Sequence, residues 1–133
     1  MRVVVDTNVL ISAFIATGKS HRVLEHCVLH HTVVLSQFIL EELREKLIAK
    51  FHYASEAADE VVGLLQSKIK LVVPVALPSP VCRDSDDDIL LATALAGGCE
   101  RIITGDKDLL SLRQYNKIAV VSPSDFAQQE AVS

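Results

Sequence analysis

Five short runs of β-branched and aliphatic residues alternate with stretches of helical character along the chain. The first run, Val3–Val5, is apolar at every position, which is typical of a strand buried on both faces, as in a parallel sheet. The predicted strands are Val3–Val5, Thr32–Leu35, Ile69–Val73, Arg101–Thr104 and Ile118–Val121. Because strands that alternate with helices are joined by parallel crossovers, the sequence predicts an α/β sandwich with a mainly parallel sheet.

Capping residues, glycines and prolines set the predicted bounds of the helices. Ser36 is a good N-cap for the helix after the second strand, and Gly97–Gly98 ends a helix that begins near Ile89. Three prolines shortly after Ile69–Val73 make that run an edge strand or an extended connection. The predicted helices are Val9–Ile15, Ser20–Leu29, Ser36–Lys50, Ser55–Ser67, Ile89–Ala96 and Asp106–Leu112, with a helical turn from Ser122 onward.

Length and composition indicate the number of domains and the cellular compartment of the protein. The chain has 133 residues, of which 50% are hydrophobic, and we expect one domain spanning residues 1–133. Its three cysteines form no C-x-x-C pair, which argues against a disulfide framework or a zinc ribbon. No apolar run is long enough to cross a bilayer, so we expect a cytoplasmic protein without membrane contact. A net charge of −4 argues against a protein that coats nucleic acid by bulk charge.

Acidic residues lie where a parallel sheet places its binding sites. Asp6 comes directly after the first strand and Asp106 just after the fourth, so both are expected at the carboxyl ends of strands. Asp87 lies at the start of the helix that leads into the fourth strand, and Glu42 lies inside the helix after the second. A single aspartate after a strand is more often a helix cap than a catalyst. Four such acids together indicate a site for Mg²⁺ or Mn²⁺, which prefer oxygen ligands and can activate water against a phosphodiester.

Helix geometry separates Glu42 from its neighbour Glu41. At about 100° per residue, Glu42 falls at the border of the apolar arc of its helix, next to Ile39, where its carboxylate can reach a cleft. Glu41 projects nearly opposite that arc, toward solvent or Arg44. The alternative for Glu42 is a surface pair with Lys46, worth roughly 0.3 kcal/mol. We therefore favour Glu42 as the functional residue.

Four motifs, in order, resemble those of PIN domains. They are Asp6-Thr7-Asn8-Val9-Leu10; Ser36 with Glu42-Leu43; Asp87 with Ala92-Thr93-Ala94; and Thr104-Gly105-Asp106-Lys107-Asp108-Leu109-Leu110. Their order and spacing match from residue 2 to about residue 122. The chain resembles the bacterial and archaeal PIN proteins assigned as toxin components of toxin–antitoxin pairs, relatives of the VapC toxins.

The resemblance implies a three-layer α/β/α sandwich, the PIN-like fold, and the activity of a metal-dependent endoribonuclease. By motif, the catalytic and metal-binding acids are Asp6, Glu42, Asp87 and Asp106, and the supporting residues are Thr7, Asn8, Thr104 and Asp108. Asp86 and Asp88 flank Asp87, and motif spacing favours Asp87 among the three, while Asp84 is expected to be a loop or cap residue. The resemblance also implies Mg²⁺ or Mn²⁺ as cofactor, RNA as substrate, a cognate antitoxin protein as partner and a homodimer.

Two alternative functions belong to other classes. One is a PIN-fold module that binds RNA or protein without useful catalysis; it would show no RNA cleavage that depends on Asp6. The other is a phosphatase of the haloacid dehalogenase type. That class needs a second aspartate two residues after the first, where this chain has Asn8.

The remaining polar and apolar residues have simpler interpretations. The five histidines, including His26 and His30, are expected to be exposed residues of helices or turns. Basic residues that either ring the cleft or are ordinary solvated charges are Lys19, Arg22, Lys46, Lys50, Lys107 and Arg113. Wide apolar stripes on the helices Ser36–Lys50 and Ser55–Ser67 exceed what the sheet needs to cover it, and they favour a two-fold homodimer.

Overall fold

Seven helices flank a six-stranded sheet in the computed structural model, which describes residues 1–132. The strands are β1 (Arg2–Val5), β2 (Thr32–Leu35), β3 (Lys70–Leu71), β4 (Arg101–Ile103), β5 (Gln114–Tyr115) and β6 (Ile118–Val121). Their order across the sheet is β3-β2-β1-β4-β6-β5. Neighbouring strands are parallel except β5 and β6, which are antiparallel. The predicted mainly parallel sheet is therefore confirmed.

The direction in which strands are added reverses beside β1. The helices are α1 (Thr7–Ile15), α2 (Lys19–His30), α3 (Gln37–Phe51), α4 (Ser55–Gln66), α5 (Ser85–Ala96), α6 (Lys107–Leu112) and α7 (Pro123–Gln129). Strands β2 and β3 are added on one side of β1, and β4 and β6 on the other. Right-handed crossovers running in opposite directions place their helices on opposite faces. Accordingly, α1 packs against α2 and α3, whereas α5 packs on β1, β2 and β4. The predicted three-layer α/β/α sandwich is confirmed.

The central strands are buried because they carry apolar side chains on both faces. Val3, Val4 and Val5 are fully buried, and Val4 pairs in register with the equally buried Ile102 of β4. Burial of each such side chain contributes about 1.5–3 kcal/mol to folding. On the last helix, α7, Phe126 is also fully buried. Within residues 1–132, no helix is both long and apolar enough to span a membrane.

The start of α5 differs most from the predicted bounds. The helix begins at Ser85 rather than at Ile89. Asp84 caps it, because its carboxylate accepts a hydrogen bond from the backbone N–H of Asp86 at 2.9 Å. Acidic side chains in the first turn also favour the positive end of the helix dipole. Asp87 consequently lies inside the first turn of α5.

Smaller departures arise from contacts between distant segments. Ser36 precedes α3, but its hydroxyl accepts a hydrogen bond from Thr93 on α5 at 3.0 Å instead of capping α3.

Strand β3 is an edge strand, as predicted, but is limited to Lys70–Leu71. Strand β5, Gln114–Tyr115, was not predicted because two residues carry no pattern. It forms through a tight turn in which Asn116 has a φ of 53°.

The prediction of exposed histidines is wrong for His26 and His31, and His21 is only partly exposed. His26 on α2 and His31, just after α2, are half-buried and lie against Glu130 at the end of α7. The packing of α7 on α2 brings the three side chains together. His30 and His52 are exposed, as predicted.

Candidate active site

A cleft of about 260 Å³ lies outside the carboxyl ends of β1 and β4, where the strand order reverses. Its lining residues come from α1, α3, α5 and the turn before α6. They are Asp6, Thr7, Asn8, Phe38, Ile39, Glu42, Lys46, Asp84, Asp86, Asp87, Leu90 and Asp106. The four acids predicted from the sequence therefore converge on one cleft.

Asp6 is held between the two central strands. It continues β1 by one residue, since its backbone N–H donates to the carbonyl of Ile103 at 2.9 Å. Its carboxylate Oδ2 accepts a hydrogen bond of 2.7 Å from the hydroxyl of Thr104, which is fully buried. The same hydroxyl oxygen accepts from the backbone N–H of Asp106 at 3.0 Å. Thr104 thus sets the positions of two of the four acids relative to each other.

Glu42 enters the cleft from α3 and is held by α1. The hydroxyl of Thr7 donates to Oε1 of Glu42 at 2.5 Å. Thr7 is in position because α1 begins directly after Asp6, two residues earlier than predicted, and its first turn faces α3. Glu41 is exposed.

The alternative surface pairs of α3 do not form. Lys46 donates to Oδ1 of Asn8 across the cleft at 3.4 Å, rather than to Glu42. Arg44 pairs with Asp59 of α4 at 2.7 Å, rather than with Glu41. The Thr7 contact is therefore the hydrogen bond that orients the Glu42 carboxylate.

Asp106 and Asp87 approach the cleft from the starts of two helices. Asp106 is the N-cap of α6, and its Oδ1 accepts from the backbone N–H groups of Asp108 and Leu109 at 2.8 and 3.2 Å. Burial raises the pKa of Asp87 to about 6, and the negative charge of Asp106, followed by those of Asp84, Asp6 and Asp108, adds to the increase. Asp108 thus acts on the cleft through its charge, although its side chain is not among the lining residues.

The carboxylates of the cleft destabilise one another in their ionised form. Burial raises the pKa of Asp6, and the charges of Glu42 and Asp106 add to this effect. The hydrogen bonds from Thr104 and from the Thr7 backbone act in the opposite direction without cancelling it. A divalent cation among these oxygens would relieve the repulsion. Among the described residues that line the cleft there is no histidine or cysteine, so the donor set fits Mg²⁺ or Mn²⁺ better than Zn²⁺.

The acidic neighbours of Asp87 have separate positions. Both carboxylate oxygens of Asp88 accept from the backbone N–H of Val81, and Oδ1 also accepts from that of Cys82 at 2.8 Å. Although burial acts in the opposite direction, these donors lower the pKa of Asp88. Asp88 therefore anchors the proline-rich segment to α5 and does not line the cleft. Asp86 lines the cleft beside Asp84, the cap of α5.

Of the basic residues considered from the sequence, Lys46 lines the cleft. Lys19 and Arg22 line a different surface depression beside α7. Of the two interpretations left open for the basic residues, a place beside the cleft therefore holds for Lys46 and not for Lys19 or Arg22. Lys19 and Arg22 lie on α2, and the packing of α2 against α7 directs them away from the cleft. This packing could not be predicted from the sequence.

Comparisons with known proteins show the family and the fold of the chain. The PIN domain family matches residues 2–108 of the chain. Protein MJ1680 of Methanocaldococcus jannaschii, which is uncharacterized, is 31% identical over 145 aligned positions that cover 97% of this chain and 91% of MJ1680. The fold is similar to that of VapBC2 from Rickettsia felis, solved bound to a DNA fragment from its promoter, with a TM-score of 0.64 and 14% identity over 92% of this chain and 98% of that one. It is also similar to PAE2754 from Pyrobaculum aerophilum, with a TM-score of 0.61 and 14% identity over 100% of this chain and 91% of that one. With the family match extending over most of its length, the chain belongs to the PIN domain family.

Proposed function

We propose that this protein is a divalent-metal-dependent endoribonuclease that hydrolyses RNA phosphodiester bonds. The observation that carries the proposal is the convergence of Asp6, Glu42, Asp87 and Asp106 on one cleft, where burial and like charges raise the pKa of Asp6 and Asp87. Perturbed acids of this kind in a cleft are typical of functional sites. PIN domains are typically nucleases, which supports a hydrolase role.

The cofactor in this proposal is Mg²⁺ or Mn²⁺. Asp6, Asp87 and Asp106 are its proposed ligands, and Glu42 either joins them or positions the attacking water. When bound, such a cation neutralises charge on the phosphodiester and makes water a stronger nucleophile at neutral pH. No covalent intermediate with the protein is required.

The supporting residues hold the acids in place before substrate arrives. Thr104 donates to Asp6, which keeps that carboxylate oriented and favours its ionised form. The hydroxyl of Thr7 donates to Glu42 and holds that carboxylate in its orientation. Asn8 bonds to Lys46, so this pair places one positive charge at the border of the cleft, where a phosphate of the RNA would lie. Asp108 acts as an outer charge near Asp87.

The test is RNA cleavage by the purified chain with Mg²⁺, with Mn²⁺ and with chelator. We expect cleavage that needs the metal and is lost in Asp6→Asn, a change that removes a ligand charge with little change in size. Circular dichroism verifies that the variant is folded. Cleavage by folded Asp6→Asn at the rate of the unchanged chain would refute the site. An absence of cleavage with either metal, together with retained RNA binding, would favour the non-catalytic binding module.

We further propose that the nuclease is the toxin of a toxin–antitoxin pair and acts in the cytoplasm. The similarity to the VapBC2 structure, which contains a complex bound to promoter DNA, supports an antitoxin protein as partner. Induced expression in a bacterial host is expected to arrest growth, and Asp6→Asn is expected to abolish the arrest. Co-expression of a small DNA-binding protein encoded beside the gene should restore growth. Normal growth at verified expression of the active chain would contradict the toxin assignment.

We also propose a homodimer. An apolar groove of about 350 Å³ runs between α1, α2 and α4, and Ile15 and Leu64 at its border remain 45% and 56% exposed. The surplus apolar surface thus involves α4, as the sequence suggests, together with α1 and α2, whereas Ile39, Leu40, Leu43 and Leu47 of α3 are buried.

Light scattering tests the dimer. We expect twice the mass of the chain at micromolar concentration and a monomer for Leu64→Glu. Val73→Glu is the matched control, because Val73 is 85% exposed and lies outside the groove. A monomer that cleaves RNA at full rate would contradict the proposed dimer while leaving the nuclease assignment intact.

A further inference from the structure

A second cluster of ionisable side chains lies at the amino ends of β1 and β2, opposite the acidic cleft. His26 comes from α2, His31 from the residue between α2 and β2, and Glu130 from the residue after α7. Nε2 of His31 lies 2.5 Å and Nε2 of His26 lies 3.3 Å from Oε1 of Glu130. One potential ligand atom from each residue lies within 4.8 Å of the other two. Two imidazole nitrogens and a carboxylate oxygen therefore face one point.

We propose that His26, His31 and Glu130 bind one transition-metal ion of the Zn²⁺ class. Two histidines and one carboxylate form a known ligand set for zinc, and imidazole selects Zn²⁺, Ni²⁺, Co²⁺ or Cu²⁺ over Mg²⁺. The proposal does not depend on the acidic cleft, which offers oxygen ligands to a different class of metal.

Shifts of about 1.5 Å or less in the three ligand atoms suffice to hold such an ion. A tetrahedral ion with bonds of about 2.0–2.1 Å places its ligand atoms roughly 3.3 Å apart. The distance from His26 to Glu130 already has this value, and His31 and Glu130 must separate by less than about 1 Å from their present hydrogen bond. The two imidazole nitrogens lie within 4.8 Å of each other and must approach by up to about 1.5 Å. The side chains of all three residues are only 13–25% exposed, so their range of motion is limited.

The surroundings orient the two imidazole rings. The buried ring of Phe126 packs edge-on against both, with centroids 6.4 Å from His26 and 6.1 Å from His31. The exposed ring of His30 lies beside His26, with the ring centroids 4.8 Å apart, and a water could complete the fourth coordination position. These contacts fix ring orientation, as outer contacts do for metal-binding histidines.

Proton balance makes the binding pH-dependent. A metal-binding imidazole nitrogen carries no hydrogen, so metal ions compete with protons for the two histidines. Affinity is therefore expected to rise with pH. The amino group of Met1 lies 3.0 Å from Nδ1 of His31, whereas Nε2 is the nitrogen that faces Glu130.

The expected consequence is a metal cross-link between segments that are distant in sequence. The ion would join α2 and the start of β2 to the end of α7, and would stabilise the docking of that last helix. A ligand that binds only the folded chain raises the melting temperature in proportion to the logarithm of its concentration.

The experiment is a calorimetric titration of the full chain with Zn²⁺, in excess Mg²⁺, with melting temperatures measured in parallel. We expect one Zn²⁺ per chain bound at this site and a rise in melting temperature. His31→Ala and Glu130→Gln should each weaken binding at least about 10-fold. The matched control is His21→Ala, because His21 forms an exposed pair with Glu25 at 3.8 Å on the same helix. The control variant should bind like the unchanged chain.

A spectroscopic measurement keeps the test decisive if one variant fails to fold. Co²⁺ is expected to give the visible absorption of a four-coordinate site in the unchanged chain and to lose it in Glu130→Gln. No thiolate charge-transfer band is expected, since the three proposed ligands include no cysteine. Zn²⁺ binding that persists unchanged in Glu130→Gln and His31→Ala, or no saturable binding, would overturn the proposal.

Discussion

The two ends of the same sheet gather ionisable side chains in opposite ways. At the carboxyl ends of the strands, carboxylates meet carboxylates, and the pKa of Asp6 and of Asp87 is raised. At the amino ends, Glu130 meets two imidazoles, and hydrogen bonds from His31 and His26 lower the pKa of Glu130. One end is therefore electrostatically unfavourable until a cation joins it, whereas the other is satisfied by its own partners. The comparison predicts which end governs catalysis and which governs the docking of α7.

The largest expected effect is the loss of RNA cleavage when one charge is removed from the acidic end of the sheet. Asp6→Asn should lower RNA cleavage in Mg²⁺ about 100-fold or more, because it removes a charge from the proposed metal site. Glu130→Gln changes the same kind of group at the opposite end and should leave cleavage within about twofold. Equal losses in two folded variants would show that the ends are not separate.

The next largest effect on RNA cleavage distinguishes the two adjacent glutamates of α3. Glu42→Gln should lower cleavage about 10- to 100-fold, because Glu42 lines the cleft and is held by Thr7. Glu41→Gln should have little effect, since Glu41 is exposed. Cleavage rates of both variants under the same metal conditions give the comparison, and equal losses would refute the assignment of Glu42.

A smaller loss of RNA cleavage is expected when the acids remain but a hydrogen-bonding residue that positions them is changed. Thr104→Val keeps the shape of the buried side chain but deletes the hydroxyl that donates to Asp6 and accepts from the Asp106 N–H. We expect about a 10-fold loss of cleavage, with a weaker apparent affinity for Mg²⁺. A variant with unchanged metal dependence would show that Thr104 does not position the acids.

Without metal, loss of one charge at the acidic end should stabilise the fold. Asp6→Asn relieves repulsion from Glu42 and Asp106, so its melting temperature in chelator should exceed that of the unchanged chain by about 2–5 °C. The hydrogen bond from Thr104 is retained, because the amide oxygen of asparagine can accept it. A lower melting temperature would indicate that the carboxylates are not tightly clustered.

The smallest effect is the response of the metal-free chain to pH. In the folded state, Asp87 has a pKa of about 6, above its ordinary value of 3.8, so the folded chain binds this proton more tightly than the unfolded chain. Its contribution to stability is present below pH 3.8 and is lost as pH rises through 6. Acidification from pH 7 to pH 5 should therefore stabilise the unchanged chain more than Asp87→Asn, by about 1–3 °C in melting temperature.

The difference between the unchanged chain and Asp87→Asn isolates the acidic end, because both chains carry the same five histidines. The contribution of Glu130 to stability changes with pH in the opposite direction. Because the pKa of Glu130 is lowered, this contribution is present above the ordinary pKa of 4.5 and is lost as pH falls further. Between pH 5 and pH 7 this loss has not begun. An equal response of the unchanged chain and Asp87→Asn would contradict the raised pKa of Asp87.

Local patterns in the sequence determined most of the sheet and the positions of the four acids along the chain. Val3–Val5 reads as a buried parallel strand because a strand covered on both faces is apolar at every position. Asp6 and Asp106 could be placed at strand ends because each follows such a run directly. The position of Glu42 on its helix follows from helical periodicity alone, which needs no tertiary contact.

Only the tertiary structure decided the features that depend on which distant segments meet. Asp88 faces the backbone of Val81 and Cys82 rather than the cleft, and local spacing alone cannot show where the proline-rich segment lies. His26 and His31 meet Glu130 across about a hundred residues of sequence, through the packing of α7 on α2. Local periodicity carries no information about such partners. The four acids could therefore be proposed from the sequence, since each lies at a position that a local pattern identifies. The histidine cluster could not, because its three residues come together only in the folded chain.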